Sequence, residues 1–463
     1  MMVVLRSWLN DLVVGSPSLQ RLYGWVASGR AWWASVLGAD RRFHRADVLL
    51  AAWRLLGPDL FGPKRIVAVS TVLAESCWAD GRLAPALRNG LLTQFGNGVE
   101  ARRVREQFAR FPLADRVRMR YPRPNDDPER QGDLLVLKAY DEASGEKGVL
   151  YVMYSESIRR FPALFDLPRL ASKYVLVLEP SWWGYQDAAF ALYLGSDLDV
   201  VVLAQCRPDF EFISQLQSNL VPLRLGAGDW VDPDGFRPKG GRERTYDIVL
   251  VSAWNVLKRH TLLFRTLRTL KREHGRALRV ALIGYPQHWT REKIEQLMRR
   301  YDVQGQCAVF EDIPHSDVAR IVADSKAYVL LSRREGANRG LYESLFCGTS
   351  VIVYRHHRGV NLDHVTEDVG RLADDDELAD VILSVVDRWE RFRPREWALA
   401  HTGWINSTRI LNQTLSEIAR TRGLPWTTDI VGHKNAPNLK YAEADMYRRF
   451  DSEYERLQQY LRV

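Results

Sequence analysis

Ser332-Arg333-Arg334-Glu335-Gly336-Ala337-Asn338-Arg339-Gly340-Leu341-Tyr342-Glu343-Ser344-Leu345-Phe346-Cys347-Gly348-Thr349-Ser350 joins two short apolar runs, Ala327-Tyr328-Val329-Leu330-Leu331 and Val351-Ile352-Val353-Tyr354. Each run is rich in β-branched or aromatic residues and bounded by turn residues, the pattern of a buried parallel strand. The joining segment predicts a glycine-bearing loop, one helix, and a stop at Gly348, which can take the left-handed cap. Strand, loop, helix and strand in that order make a unit of an open α/β sheet. Its loop faces the carboxyl ends of the strands, where such sheets bind ligands.

Two carboxylates are placed in this unit, Glu335 in the loop and Glu343 eight positions on. Eight residues of helix is a little over two turns, so the second acid returns roughly to the face of the first. The helix start between them offers free N–H groups and a positive dipole end, a seat for phosphate. Taken singly, either glutamate reads more readily as a solvated acid. The flanking strands and the Cys347-Gly348-Thr349-Ser350 turn make the pair harder to dismiss.

The pair resembles the paired-glutamate signature of retaining, sugar-nucleotide-dependent glycosyltransferases of family 4, which have the GT-B fold. The segment from Glu343 to Ile352 is similar to that family's Glu-Ala-Met-Ala-x-Gly-x-Pro-Val-Val, with Ser350 in place of the common proline. The family usually continues its first glutamate as Glu-Gly-Phe-Gly, whereas Asn338 and Arg339 follow Ala337 here. Asp229 to Pro238 resembles the Gly-Val-Asp-x-x-x-Phe-x-Pro that precedes the family's nucleotide-binding domain.

The resemblance implies an α/β fold of two Rossmann-like doubly wound domains facing a cleft, and roles for named residues. Glu335 would accept hydrogen bonds from donor-sugar hydroxyls and support positive charge at the anomeric carbon. Glu343 would bind ribose hydroxyls. Lys258 and the amides of Gly336, Ala337, Asn338, Arg339 and Gly340 would hold the diphosphate. Gly284 would let a nucleotide approach closely, and Ile313, with Asp312 and Pro314, would lie against its base. The family pairs an arginine with its lysine; Ala253 stands at that arginine's place, so Arg259 or Arg339 is expected to replace the cation. The family's first-domain histidine also has no counterpart, since only His44 precedes His260.

Length and composition agree with this class. A chain of 463 residues is too long for one ordinary core. Four scattered cysteines show no pairing or metal-ligand pattern, which fits a reducing cytoplasm. Apolar runs are too short for a membrane span, and no secretory leader is expected. The net charge of +8 suits anionic membrane surfaces, polyanions or phosphorylated substrates without choosing among them. A nucleic-acid-binding role is disfavoured, because no recognition module accompanies the charge.

Four regions are expected: a helical N-terminal extension over 1–60, an acceptor domain over 61–225, a donor domain over 226–400, and C-terminal helices over 401–463 packing back toward the first domain. The extension interleaves Trp8, Trp25, Trp32 and Trp33 with arginines. It reads either as a membrane-interface segment or as packing on the protein's own first domain. Strands are expected near 65–70, 134–137, 149–153, 174–178, 200–204, 246–251, 280–285, 308–313, 327–331 and 351–354. Helices are expected over 74–95, 157–172, 185–195, 378–392 and 397–420. A further helix is capped by Ser316, and one long helix spans 439–461. Glu179, Trp182, Trp183 and Tyr185 make a strand-end cluster on the acceptor side.

The expected reaction moves a sugar from a nucleotide diphosphate donor to a hydroxyl of a glycan or lipid-linked acceptor, in cell-surface polysaccharide or glycolipid synthesis. It needs no metal and no cofactor beyond the nucleotide-sugar substrate. The setting would be cytoplasmic, with peripheral contact at the inner membrane face through residues 1–60. A catalytically lapsed GT-B scaffold or partner subunit, and a GT-B nucleotide-sugar epimerase, are the alternatives.

Overall fold

Apolar runs between residues 133 and 223 build one sheet, and six more between 246 and 373 build a second, in a computed structural model of the chain. The structure describes residues 133–462 apart from 181–187, 195, 216, 242, 334, 337, 436–438 and 444–445, together with positions 102 and 106. The expected N-terminal extension, the strand near 65–70, the helix over 74–95, Trp182, Trp183, Tyr185 and Ala337 lie outside the described residues. The described ones all belong to one unit, Leu91–Val463.

The first sheet holds β1 (Asp133–Lys138), β2 (Gly148–Met153), β3 (Tyr174–Glu179), β4 (Val200–Leu203) and β5 (Leu220–Leu223), adjacent in that order. β1 runs antiparallel to β2, and the remaining pairs are parallel. Every residue of β2, β3 and β4 is buried, which is why these strands read as unbroken apolar runs rather than alternating ones. Helices α1 (Ser155–Leu164) and α2 (Leu167–Ala171) cross from β2 to β3, and α3 (Arg207–Gln215) from β4 to β5. The single helix expected over 157–172 is therefore two. Asp166 stops the first and caps the second, accepting from Arg169 N–H, with a proline in the new first turn. A 3₁₀ turn over Ala188–Tyr193 stands where the helix over 185–195 was expected.

The second sheet holds β6 (Tyr246–Val251), β7 (Val280–Gly284), β8 (Cys307–Glu311), β9 (Ser325–Leu330), β10 (Ser350–Tyr354) and β11 (Gly370–Ala373). Its spatial order is β11-β10-β9-β6-β7-β8, parallel throughout. That is the doubly wound dinucleotide-fold order, whose direction of progression reverses between β6 and β9. Side chains alternate across it: Ile248 and Leu250 enter the core beneath α4 (His260–Glu273), α5 (Arg291–Tyr301) and, from the chain's later part, the helix over Leu378–Asp387. Val249 points to the other core, with α6 (His315–Ala323) and α7 (Gly340–Phe346). The two folds of the chain are thus Rossmann-like, each with strands feeding loops at their carboxyl ends.

The remaining elements are α8 (Leu378–Asp387), α9 (Pro394–His401), α10 (Trp404–Thr421), β12 (His433–Asn435), β13 (Leu439–Tyr441), α11 (Met446–Arg449) and α12 (Asp451–Leu457). Three helix expectations are corrected here. α6 opens behind Pro314 with no side-chain cap, so Ser316 lies inside its first turn. The helix over 397–420 breaks at Gly403, which takes φ +85°. The long tail helix is instead a strand and short helices, because its polar side chains are spent on the first sheet. Tyr441 OH donates to Val136 O at 2.8 Å, while Glu453 accepts from Tyr140 N–H at 2.9 Å and from Tyr174 OH at 2.5 Å. Contacts so distant in sequence outweigh the local helical period. Among the described residues no helix is long and apolar enough to cross a membrane.

Candidate active site at the strand reversal

The reversal point between β6 and β9 gathers its side chains from two loops. After β6, Asn255 Oδ1 accepts from the N–H groups of Leu257 (2.8 Å) and Lys258 (3.2 Å). This closes a 3₁₀ turn over Val256–Lys258, and Arg259, at φ +58°, redirects the chain into α4. Lys258 is thereby set at the carboxyl end of its strand. The loop after β9 delivers Glu335.

Lys258 Nζ lies 2.6 Å from Glu335 Oε1. The same oxygen accepts from Ser332 Oγ at 2.6 Å, and Oε2 accepts from Asn338 Nδ2 at 2.7 Å. The Glu335 side chain is 8% exposed. Burial by itself would raise its pKa, but the Lys258 ammonium and the hydrogen bonds from Lys258 and Ser332 outweigh it and hold the carboxyl below its usual range. Glu335 is therefore a fixed anion. Three donors leave roughly one of the four lone-pair positions of a carboxylate open.

The backbone of this loop is clamped to the loop after β10. Glu335 N–H donates to Arg358 O at 2.8 Å, and Arg358 N–H to Arg333 O at 2.9 Å. Gly359, at φ +109°, sits so close that a Cβ there would lie 1.6 Å from Glu335 O. Within the same loop His357 is 3% exposed, with Nε2 3.4 Å from Ser332 Oγ. Burial pushes its pKa down to about 4, with Glu335 opposing and Lys258 reinforcing that shift.

Asn338, one of the departures from the family pattern, has two uses. While its amide nitrogen braces Glu335, Oδ1 accepts from Leu341 N–H at 2.8 Å and satisfies a donor in the first turn of α7. The amide taken up is that of Leu341, just past the 336–340 amides expected to hold phosphate. Glu343, on α7, is buried and places Oε1 3.4 Å from His315 Nε2. Gly340 admits Tyr328, whose hydroxyl would lie 2.6 Å from an added Cβ.

Other singled-out residues have partners within the protein. Arg259 pairs with Asp375 and donates to Leu331 O at 3.0 Å. Arg339 Nη1 donates to Asn435 Oδ1 of the tail at 3.0 Å. Gly284 ends β7 against Ser252 O and the Trp254 indole, 2.2 and 2.4 Å from an added Cβ, so close packing inside the protein already demands a glycine. Ile313 is partly buried against the α6–α7 core. Gly336 O accepts from Gln205 Nε2 of the first sheet at 3.2 Å. Ala253 is buried beside Trp254.

Glu179 ends β3 and turns inward rather than toward solvent, at 1% exposure. Tyr151 OH donates to one oxygen, and Oε1 has no partner among the described residues. Burial raises its pKa to about 8; the Tyr151 hydrogen bond opposes this, Asp229 adds to it, and the Arg339 charge opposes it. Close by, the tilted His433 ring has its centroid 3.8 Å from that of Trp230 and 4.2 Å from that of Tyr151.

Ser332, His357 and the bracing role of Asn338 were not found in the sequence. Ser332 stands three residues before Glu335 in a loop, a spacing with no period to mark it. His357 meets it only because β9 and β10 are neighbours.

Residues 234–395 match the family model described as glycosyl transferases group 1. No curated protein sequence matches the chain. Among solved structures, a sucrose-phosphate synthase from Thermosynechococcus elongatus is 17% identical with a TM-score of 0.47, covering 59% of this chain and 74% of that one. Anabaena Alr3699/HepE, solved with UDP and glucose, is 12% identical with a TM-score of 0.44, covering 57% and 78%. The pneumococcal O-GlcNAc transferase GtfA, solved with UDP and GlcNAc, is 13% identical with a TM-score of 0.43, covering 55% and 54%. Superpositions this loose say nothing about what this chain binds. Residues 234–395, which carry Lys258, Glu335 and Glu343, are a group 1 glycosyltransferase domain.

Proposed function

We propose that the chain transfers a sugar from a nucleotide diphosphate donor to an acceptor hydroxyl, with retention of configuration at the anomeric carbon. The observation that supports this most is the Lys258–Glu335 pair, 2.6 Å apart at the strand reversal of a group 1 glycosyltransferase domain. Charge grows on the diphosphate as its bond to the sugar breaks, and a preformed cation there lowers the barrier. Lys258 supplies that cation, moving from Glu335 to the phosphate when the donor enters. Glu335 then turns its freed lone pairs to donor-sugar hydroxyls and to the positive anomeric carbon. The acceptor oxygen bonds to that carbon on the face the diphosphate leaves, and the departing phosphate takes the acceptor's proton.

Glu343 holds the ribose hydroxyls, and the amides of the 336–340 loop complete the phosphate site. Charge neutralisation by Lys258 and these amides needs no metal. Activity that survives EDTA is expected, and abolition by EDTA would refute this part. The acceptor is a glycan or lipid-linked hydroxyl, met beyond the end of the strand that closes at Glu179. The Trp- and Arg-bearing residues 1–60 hold the protein at the inner face of the cell membrane.

The test is a thermal-shift screen over nucleoside diphosphates and nucleotide sugars, with Lys258→Ala as control. Stabilisation by one nucleotide that disappears in the variant is expected. A second reading, a lapsed scaffold, is favoured by Ala253 at the family's arginine position. Absence of any nucleotide binding would select it.

A further inference from the structure

We propose that His357 is a positioning residue for Glu335: its Nε2–H donates to Ser332 Oγ and fixes that serine's proton on Glu335 Oε1. The inference rests on the donor-site reading of Glu335 and adds to it a residue that no motif contains.

A proton count carries it. Glu335, bonded to the Lys258 ammonium at 2.6 Å, is a carboxylate and can only accept. Ser332 has one hydroxyl proton, and at 2.6 Å that proton lies on Glu335 Oε1. The serine oxygen then faces His357 Nε2, 3.4 Å away, with only lone pairs to offer. That separation is at the long end for a hydrogen bond, so the geometry tolerates a donor there and disfavours two opposed lone pairs. The proton therefore belongs on Nε2.

The other two states of the ring fit worse. A neutral ring protonated on Nδ1 would set the Nε2 lone pair against the serine oxygen. It would also bury an N–H on Nδ1, which has no partner among the described residues. A charged ring would carry that same unpartnered N–H at 3% exposure, and its burial, with the Lys258 ammonium added, outweighs the attraction of Glu335. Only the Nε2–H tautomer satisfies every proton in the chain from His357 through Ser332 to Glu335.

The arrangement ties two loops into one unit. Ser332 and Glu335 follow β9, and His357 follows β10. When Lys258 moves to a diphosphate, Glu335 loses one of the two donors on Oε1. Ser332, held by His357, remains and keeps the carboxylate aimed. The benefit falls on the chemical step, where a misplaced charge must be reorganised, more than on donor binding.

Two measurements on the full chain test this. In protein labelled with ¹⁵N-histidine, the His357 signals are identified by their loss in His357→Gln. The expected result is a neutral Nε2–H ring from pH 6 to 8; an Nδ1–H or charged ring overturns the proposal. This readout needs no turnover and stands even if the donor reading fails.

The second measures nucleoside diphosphate release from UDP-glucose, UDP-N-acetylglucosamine and GDP-mannose. Loss of one hydrogen bond in a charged network predicts that His357→Leu lowers kcat about 10-fold, with donor KM changed less than about 2-fold. His357→Gln, which keeps an N–H donor, should recover to within about 3-fold of the parent. Residues acting in series are not additive, so Ser332→Ala/His357→Leu should be within about 2-fold of Ser332→Ala alone. Additive losses, or a folded His357→Gln as impaired as His357→Leu, would overturn the proposal. If none of the three donors turns over in the parent protein, the donor reading fails for them and the tautomer alone decides.

Discussion

Glu335 shows how one side chain is held by neighbours of different origin: Lys258 from the β6 loop, and Ser332 and Asn338 from its own loop. Replacing it with Gln keeps the shape, removes the charge and sets an amide N–H₂ against donors, either Lys258 and Ser332 together or the Asn338 amide. Under the proposed function, Glu335→Gln should lower kcat at least about 100-fold, as removal of a transition-state charge contact does. Initial-rate kinetics check this, and a loss below tenfold would place the chemistry elsewhere. Asn338→Ala removes both a brace on Glu335 and a partner of Leu341 N–H. A stability loss of about 0.5–2 kcal/mol, the range for a helix-cap deletion, is expected in urea unfolding. Glu335 could be singled out in the sequence because its spacing to Glu343 and the flanking strands marked it, and Lys258 because it matches the lysine of the family it resembles. Ser332 and His357 could not, because their contact spans two loops that only strand adjacency brings together.

At the scale of elements, α7 is the segment that the opening stretch described, and six of its seven residues are buried. Its end is fixed by Gly348 at φ +75°, where any other residue would adopt a left-handed conformation. Gly348→Ala should cost about 1–2 kcal/mol on that ground. A midpoint in chemical denaturation unchanged from the parent would refute it. Gly359→Ala should be worse, since its added methyl collides with backbone, not with a side chain that could yield. The strands were legible because those buried on both faces are continuous apolar runs. The tail was not. Its residues 439–461 carry a helical period, yet Tyr441 and Glu453 bond to β1 and to residues next to it or on β3, a competition invisible in local sequence.

For the whole molecule, buried titratable groups set the response to pH. His260, His357 and His433 are driven by burial to about 4, about 4 and about 3. Each is neutral in the fold but takes a proton in the unfolded chain below its ordinary value of about 6.5. Their contribution is therefore complete above about pH 6.5 and is lost as pH falls toward 4. Glu179, raised to about 8, has the opposite sign. The unfolded chain ionises it above about pH 4.5 while the fold keeps it protonated, so stability falls as pH rises toward 8. Three histidines outweigh one glutamate on the acid side, and Glu179 stands alone among these four above pH 6.5. A melting temperature that peaks near pH 6.5 is expected. Glu179→Gln should flatten the decline between pH 6.5 and 8, and an unchanged slope there would refute the assignment.

The sequence by itself determined five of the six strands of the second sheet, missing Gly370–Ala373, and the loop that opens α7. These follow from apolar runs, glycine conformations and local spacing, which act over a few residues. Only the tertiary structure decided which donors hold Glu335, that Glu179 faces inward, and that the tail is broken into pieces on the first sheet. Those outcomes depend on which strands become neighbours and which polar groups lose water together. Such energies belong to pairs of segments far apart in the chain.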